Sequence, residues 1–408
     1  MHILFLLPDF PFPVSTGGRS KIFNELLFLS QQHKCDLLCF GSPSIDDLAC
    51  FEKELPNVRV LGVIPKPICA IKKINAILNF LKLIPPSLAA FYDKNYSKLV
   101  KKNIEARNYD VIHYDIINMA QYLKFGQNIP SVHSPNDATS LVYERLAQQT
   151  KWSITKLRLW ISAKLLKRYE RRIYPNFTKI HVVTEIDATY LKSLAKGIDT
   201  CAIPIALDVH QLSSSDNLID NNERNPSDLK IVCTGYLGNP AIADGTRDFI
   251  VNVLPNILKL QPELKLIILG KDPSAGLLEL MTTNESIVYT EWVDDFKKFL
   301  LHADIILAPD YSGAPGAKTR VLQAMALKLP VIGTRSAFEG IPVINGEHGL
   351  IYNSMEECTK LLNKLIIDSN GRSVIANNGF ELVVKRLSLN AIGPQYERMY
   401  LDAISDFR

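Results

Sequence analysis

Short apolar runs recur along the chain, separated by longer stretches with helical character. Ile3–Leu7 is followed by a helical stretch from about Arg19 to Gln32 and then by Cys35–Phe40; Val58–Ile64, Val111–Tyr114, Ser131–His133, Lys179–Thr184 and Cys201–Ile205 continue the series. Alternation of this kind predicts a parallel, doubly wound α/β sheet. It stops between about His210 and Asp228, where SSSDNLIDNNERNPSD is polar, charged and free of strand signals. A second alternation then begins at Lys230–Thr234 and runs through Leu264–Leu269, Ser286–Thr290, Ile305–Pro309, Val331–Gly333 and Gly349–Tyr352. The pattern predicts two Rossmann-like domains, over 1–209 and 229–389, joined by a linker at 210–228. GPQYERMYLDAIS, within about 390–408, reads as a last helix. Ligands of open parallel sheets bind at the carboxyl ends of strands, so a central cleft faced by both domains is the expected site.

The size, 408 residues, requires more than one ordinary core. With 46 Lys and Arg against 42 Asp and Glu the net charge is only +4, and no nucleic-acid partner is implied. The seven cysteines, at 35, 39, 50, 69, 201, 233 and 358, show no CxxC pair and no spacing with histidine that suits a metal. They read as reduced core thiols of a cytoplasmic protein. MHILFLLPDFP has no basic leader and is broken at Pro8 and Asp9, so it is expected to be a buried strand rather than a signal or a membrane span. Neither GxGxxG after a first strand nor GxxxxGK[ST] occurs, and no Asp-x-Asp stands between strand and loop to hold a metal.

The stretch APDYSGAPGAKTRVLQAMALKLPVIGT, from Ala308 to Thr334, carries the most chemistry. A strand ends near Pro309, a loop containing Gly313 and Gly316 follows, and a helix starts near Lys318. Such a helix start presents unpaired N–H groups and a positive dipole end, and so suits a phosphate. The same glycines also serve a plain strand-to-helix turn.

TGGRSKIFNELLFLS after the first strand, KIVCTGYLGNP at the start of the second half, HADIILAPDYSGAPGAKTRVLQAMALKLPVIGT and FEGIPVINGEHGLIY together resemble the GT-B glycosyltransferases of family 4. The resemblance implies the GT-B fold, retention of anomeric configuration, a nucleoside-diphosphate sugar as donor and no required metal or other cofactor. It also implies that the last helix returns to the first domain. The implied acceptor is a glycan or a lipid-linked molecule, in the making of a cell-surface polysaccharide or glycoconjugate.

Several family positions differ. The two glutamates that the family places eight apart fall here at Pro315 and Gln323; the usual P-N-G-V-D is Pro204-Ile205-Ala206-Leu207-Asp208; and no basic residue follows the first strand of the second half until Arg247. One branch of the family instead has bases five and three positions before its second glutamate, and Lys318 and Arg320 stand at those offsets from Gln323. The resemblance therefore implies that Lys318 and Arg320, with the helix N–H groups, stabilise the leaving diphosphate. Thr319 and Gln323 join the donor site, Gln323 through its amide to ribose hydroxyls. Gly17 and Gly18 are implied to approach donor or acceptor, and His133 to hydrogen-bond the sugar or leaving phosphate. The plainer alternatives are a solvated helix face for Lys318 and Arg320, a core histidine for His133 and an ordinary turn for the glycines. His113 and Glu339 are weaker candidates. The loss of both glutamates also admits a catalytically silent module that binds a partner transferase or a glycan; a sugar-nucleotide epimerase of the same architecture is a third alternative.

Two basic stretches remain, KPICAIKKINAILNFLKLIPPSLAAFYDKNYSKLVKK and KWSITKLRLWISAKLLKRYERRIY. The second interleaves Trp152, Leu159, Leu166 and Ile173 with bases. Basic amphipathic helices with aromatic anchors suit an anionic membrane surface on the cytoplasmic face; ordinary domain helices with a core-facing stripe give the same pattern.

Overall fold

The computed structural model describes residues 1–14, 16–67, 85–89, 91–209, 212, 229–291, 293, 296–311 and 318–407. Most of the expected linker and much of the first basic stretch, at 213–228 and 68–84, lie outside these residues. The chain divides into two compact units, the first containing Met1–Ala206 and Leu389–Arg408, the second Leu207–Gly313 and Ala317–Ser388.

The first unit carries a seven-stranded sheet in the order β3-β2-β1-β4-β5-β6-β7. Its strands are β1 (His2–Leu7), β2 (Lys34–Phe40), β3 (Val58–Ile64), β4 (Val111–Asp115), β5 (Ser131–Asn136), β6 (Lys179–Val182) and β7 (Thr200–Ala202), and neighbours pair in parallel throughout. The second unit has the order β10-β9-β8-β11-β12-β13, also parallel. These strands are β8 (Lys230–Thr234), β9 (Lys265–Leu269), β10 (Ile287–Thr290), β11 (Ile305–Ala308), β12 (Val331–Thr334) and β13 (Leu350–Tyr352). Each apolar run named from the sequence forms one of them. The expected Cys201–Ile205 is cut to Thr200–Ala202, with Pro204 just beyond its end to withhold a ladder N–H.

Both sheets reverse direction once, between β1 and β4 in the first unit and between β8 and β11 in the second. At such a switch the connections on either side leave in opposite directions and open a crevice at the carboxyl ends of the two central strands. Helices cover both faces of the first sheet, which explains why its strands are apolar at successive positions. Leu4, Leu6, Ile112 and Tyr114 join Tyr96, Leu166 and Phe177 on one face. Ile3, Phe5 and Leu7 join Phe23 and Leu26 of the first helix, Gly17–Leu29, and Tyr396 and Tyr400 of the last helix, Leu389–Asp406, on the other. Close approach of these two helices depends on Gly393, where a Cβ would lie 2.1 Å from Phe28 Cδ2.

All the described cysteines are free. Cys50 departs from the expected core placement: it is exposed, on an amphipathic helix whose buried residue is Phe51.

Candidate active site

In the second unit the switch point brings together the ends of β8 and β11. The chain leaves β11 through Pro309, Asp310 and Tyr311, which are held from several sides. Tyr311 N donates to Ala241 O at 2.9 Å, Ser336 Oγ to Tyr311 O at 3.3 Å, and Thr334 Oγ1 to Asp310 O. The Tyr311 hydroxyl donates to Asp248 Oδ2, and burial followed by this carboxylate pushes its pKa up. Helix Pro240–Asn252 packs so closely on this turn that a Cβ on Gly245 would lie 1.7 Å from Pro309 O. The ends of β8 and β9 are equally tight, since a Cβ on Gly270 would lie 2.2 Å from Gly235 O. Backbone therefore lines this end of the sheet with little side-chain bulk, which suits a ligand read by main-chain groups.

Helix Thr319–Ala326 begins here, with Lys318 as its N-cap. Val321, Leu322, Ala324, Met325 and Ala326 are buried, which leaves Thr319, Arg320 and Gln323 on the partly open strip. Four of the residues expected at the donor site, Lys318, Thr319, Arg320 and Gln323, thus share one end and one side of a short helix. Gly313, Gly316 and Pro315 lie outside the described residues. Glu339 stands after the turn Arg335–Phe338, as its C-cap.

Arg320 is not simply an outward cation. Its Nη2 donates to Asp310 Oδ1, a carboxylate almost wholly buried, and its guanidinium carbon lies 3.7 Å from where a Gly235 Cβ would stand. The guanidinium therefore spans the ends of β8 and β11. Its Nε is buried and has no hydrogen-bond partner among the described residues. Asp310 escaped the sequence analysis: an acid after a strand reads as a turn residue, and only the fold-back of the helix makes it a partner.

The first unit's switch point holds a buried polar network. Lys21 and Glu25 of the first helix, His113 and Asp115 of β4, Ser134 of β5, His181 of β6 and Tyr400 of the last helix are all buried. Tyr400 OH donates to Glu25 Oε1 at 2.6 Å and accepts from His113 Nδ1 at 2.6 Å. His181 Nε2 donates to Ile203 O at 3.0 Å, so its Nδ1 accepts from Ser134 Oγ at 3.0 Å; Lys21 Nζ donates to Ser134 in turn. Lys21 also faces Glu25 Oε2 at 3.6 Å and Asp115 Oδ1 at 3.9 Å. Burial works to raise the Glu25 pKa, but Lys21, His113, His181 and the Tyr400 hydroxyl together more than offset it, and the carboxyl is held low. Burial, followed by Lys21, pulls His181 down to about 3 and keeps it neutral. The available sequence signal for this network was a lysine and a glutamate four apart, on one face of a helix that ends in the apolar run Leu26–Leu29.

Gly17 and Gly18 open the first helix above it, with Thr16 Oγ1 capping Arg19 N at 3.3 Å. Gly18 is exposed, and a Cβ there would meet nothing within 4 Å. Neither packing nor a left-handed backbone requires a glycine at that position.

His133 is placed differently from the expectation that it meets the sugar. Its ring is fully buried on the opposite face of the sheet, stacked on Phe177 at 4.6 Å and edge-on to Tyr174 at 4.9 Å. Nδ1 donates to Tyr114 O at 2.9 Å, and burial pulls the pKa down to about 3. The physical reason is the twofold period of a strand: Val132 and Ser134 point toward the first helix, so His133 points away from it. His113 lies on the same face as Ser134, but with its ring enclosed in the network.

Two Rossmann-like units, with the basic helix start at the switch point of the second, define the GT-B class. Residues 228–368 match the family model "Glycosyl transferases group 1". Over 193 residues it is 25% identical to the capsular polysaccharide biosynthesis glycosyltransferase CapM of Staphylococcus aureus, covering 45% of this chain and 50% of that protein. The chain thus matches about half the length of this relative. HepE of Anabaena, solved with UDP-glucose, is similar over 98% of this chain and 99% of its own at a TM-score of 0.64 and 16% identity. A mutant of S. aureus TarM, solved with fondaparinux, alpha-GlcNAc-glycerol and UDP, covers 98% of this chain and 100% of its own at a TM-score of 0.67 and 10% identity. At these identities the two structures establish the common fold.

Proposed function

We propose that this chain is a retaining glycosyltransferase that moves a hexosyl group from a nucleoside-diphosphate sugar to a glycan or lipid-linked acceptor in surface-polysaccharide synthesis. The observation that carries this reading is the convergence of Lys318, Arg320 and the N-terminus of helix Thr319–Ala326 on the β8/β11 switch point, inside the segment that matches the family. Charge grows on the diphosphate as the glycosidic bond breaks, and fixed cations and N–H groups stabilise that state more than the ground state. Lys318 meets this charge as an ammonium at the helix start. Arg320, anchored by Asp310, offers its remaining donors in a fixed plane. Gln323, one turn along, takes ribose hydroxyls through its amide. Gly18, open and unexplained by packing, is assigned to close approach by a ligand. His133 has no part in the reaction on this reading. The polysaccharide context is drawn from CapM, and a uridine nucleotide from HepE.

A silent GT-B module is the second reading, favoured by Gln323 in place of a carboxylate and by the engagement of Arg320 with Asp310. Turnover separates the two. With a panel of nucleotide sugars and no acceptor, slow hydrolysis should release first the anomer present in the donor, followed by proton NMR before mutarotation. Release of the opposite anomer contradicts retention. Specific binding without turnover of any donor, with or without glycan acceptors, establishes the silent module.

A further inference from the structure

Helix Ile154–Ile173 buries one face and leaves a second apolar face uncovered. Ala163, Leu166, Tyr169 and Glu170 are buried, and Leu159 and Ile173 of the expected stripe lie partly covered beside them. From Leu159 to Ile173 that stripe therefore faces the core, as for an ordinary domain helix, whereas Trp152, its first member, stands in solvent. The opposite side follows the helical repeat through Ile154, Leu157, Ile161, Lys164, Arg168 and Arg171. All six are exposed. The stripe is apolar for its first two turns and basic thereafter.

Two tryptophans enlarge the apolar end. Trp152 is 86% exposed, Ile154 72% and Trp160 53%. Exposed large side chains gathered in this way form a patch rather than the scatter normal for a surface. No acidic residue occurs between Glu144 and Glu170, and that interval holds seven bases: Arg145, Lys151, Lys156, Arg158, Lys164, Lys167 and Arg168. Lys167 is turned inward, donating to Glu144 Oε1 at 3.1 Å and lying over Tyr190. Lys164 stays outside and lies over the Trp160 ring at 5.5 Å.

We propose that this face docks the protein on an anionic lipid bilayer. Trp, Leu and Ile at one end of the stripe need an apolar medium, and Lys164, Arg168 and Arg171 at the other need anions in the same plane. The headgroup boundary of an anionic leaflet supplies both, with indole rings at the interface and long bases reaching phosphate. A second copy of the chain would bring bases to bases or bases to apolar rings, without an acid between Glu144 and Glu170 to answer them. The inference rests on the surface itself and not on the transfer reaction; with that reaction, it makes the acceptor membrane-borne.

The test is co-sedimentation of the full chain with vesicles of phosphatidylserine and phosphatidylcholine in equal parts, beside vesicles of phosphatidylcholine alone. We expect binding to the mixed vesicles that weakens as salt shortens the Debye length to about 10 Å and below. Lys164→Glu, Arg168→Glu and Arg171→Glu together should weaken it by at least about a hundredfold, and Trp152→Ser with Trp160→Ser should also weaken it. Reversal of Lys259, Lys265 and Lys364, exposed in the second unit, should have little effect; unchanged circular dichroism establishes that each variant is folded. No binding to either vesicle, binding indifferent to both patch variants, or an equal loss from the control reversal overturns the proposal. So does concentration-dependent self-association that the patch variants abolish while vesicles capture nothing. Sedimentation requires no turnover, so an inactive protein still decides the point.

Discussion

Arg320→Ala is expected to lower the stability of the second unit by about 3–5 kcal/mol, because it leaves a buried carboxylate without its cation. Asp310 is 2% exposed, and Arg320 is the cation bonded to it. Its own backbone is pinned by Thr334 and by the neighbouring Tyr311, so it cannot turn out to water without disturbing the end of β11. Lys318→Ala should change stability by less than about 1 kcal/mol, since it removes a partly exposed side chain at a helix cap. The order reverses for ligand: Lys318→Ala should weaken nucleoside diphosphate binding by about tenfold to a hundredfold while the fold persists. Adding Asp310→Asn to Arg320→Ala should restore most of the lost stability but not the affinity. Chemical denaturation of the three variants checks this. A wild-type midpoint for Arg320→Ala would mean that the ion pair contributes nothing to the fold.

The second large effect is acid destabilisation of the first unit. His133 and His181 are both pulled down to about 3, burial being the main cause in each. Unfolded imidazoles titrate near 6.5, so between about pH 6.5 and pH 3 the unfolded chain binds protons that the folded chain refuses. Stability therefore falls with pH across that window, by about 1.4 kcal/mol per unit for each histidine. Glu170 acts in the opposite sense. Burial raises it to about 7, with its hydrogen bonds from Ser140 opposing, so below that pH the folded state retains a proton that the unfolded state lacks down to about 4.5. Between pH 6.5 and 4.5 two histidines oppose one glutamate, and the net loss should be about 1.4 kcal/mol per unit. Glu170→Gln should about double that slope, and His133→Gln should nearly flatten it. Denaturation followed at several pH values gives the slopes directly; a wild-type protein equally stable at pH 4.5 and 6.5 would contradict the neutral, enclosed imidazoles.

The strands were legible because each carries its own signal: a parallel strand covered by helices must be apolar at successive positions, whatever its neighbours. The bases at the second switch point were legible for a similar local reason, since Lys318 and Arg320 open a helix after a glycine-bearing loop. Contacts set by register were not legible. Asp310 meets Arg320 only because helix Thr319–Ala326 folds back over the end of β11, and His113, Ser134 and His181 meet only because β4, β5 and β6 lie side by side. His133 illustrates the limit most plainly. Its place near a strand end was readable, but the face it takes depends on how β5 pairs with β4, where it stands beside Tyr114. In helix Ile154–Ile173 the heptad positions Leu159, Leu166 and Ile173 marked the core-facing side, but Trp152 of the same series lies in solvent, and the stripe that remained exposed became visible only once the core side was fixed.

The central claim is that the helix start at Lys318 receives a diphosphate, and calorimetric titration of nucleoside diphosphates against the corresponding nucleosides tests it most directly. A diphosphate of one base should bind, its nucleoside should bind far more weakly, and Lys318→Ala should remove most of that difference. Equal affinity for diphosphate and nucleoside, or a difference that survives Lys318→Ala intact, would place the phosphate elsewhere and contradict the account.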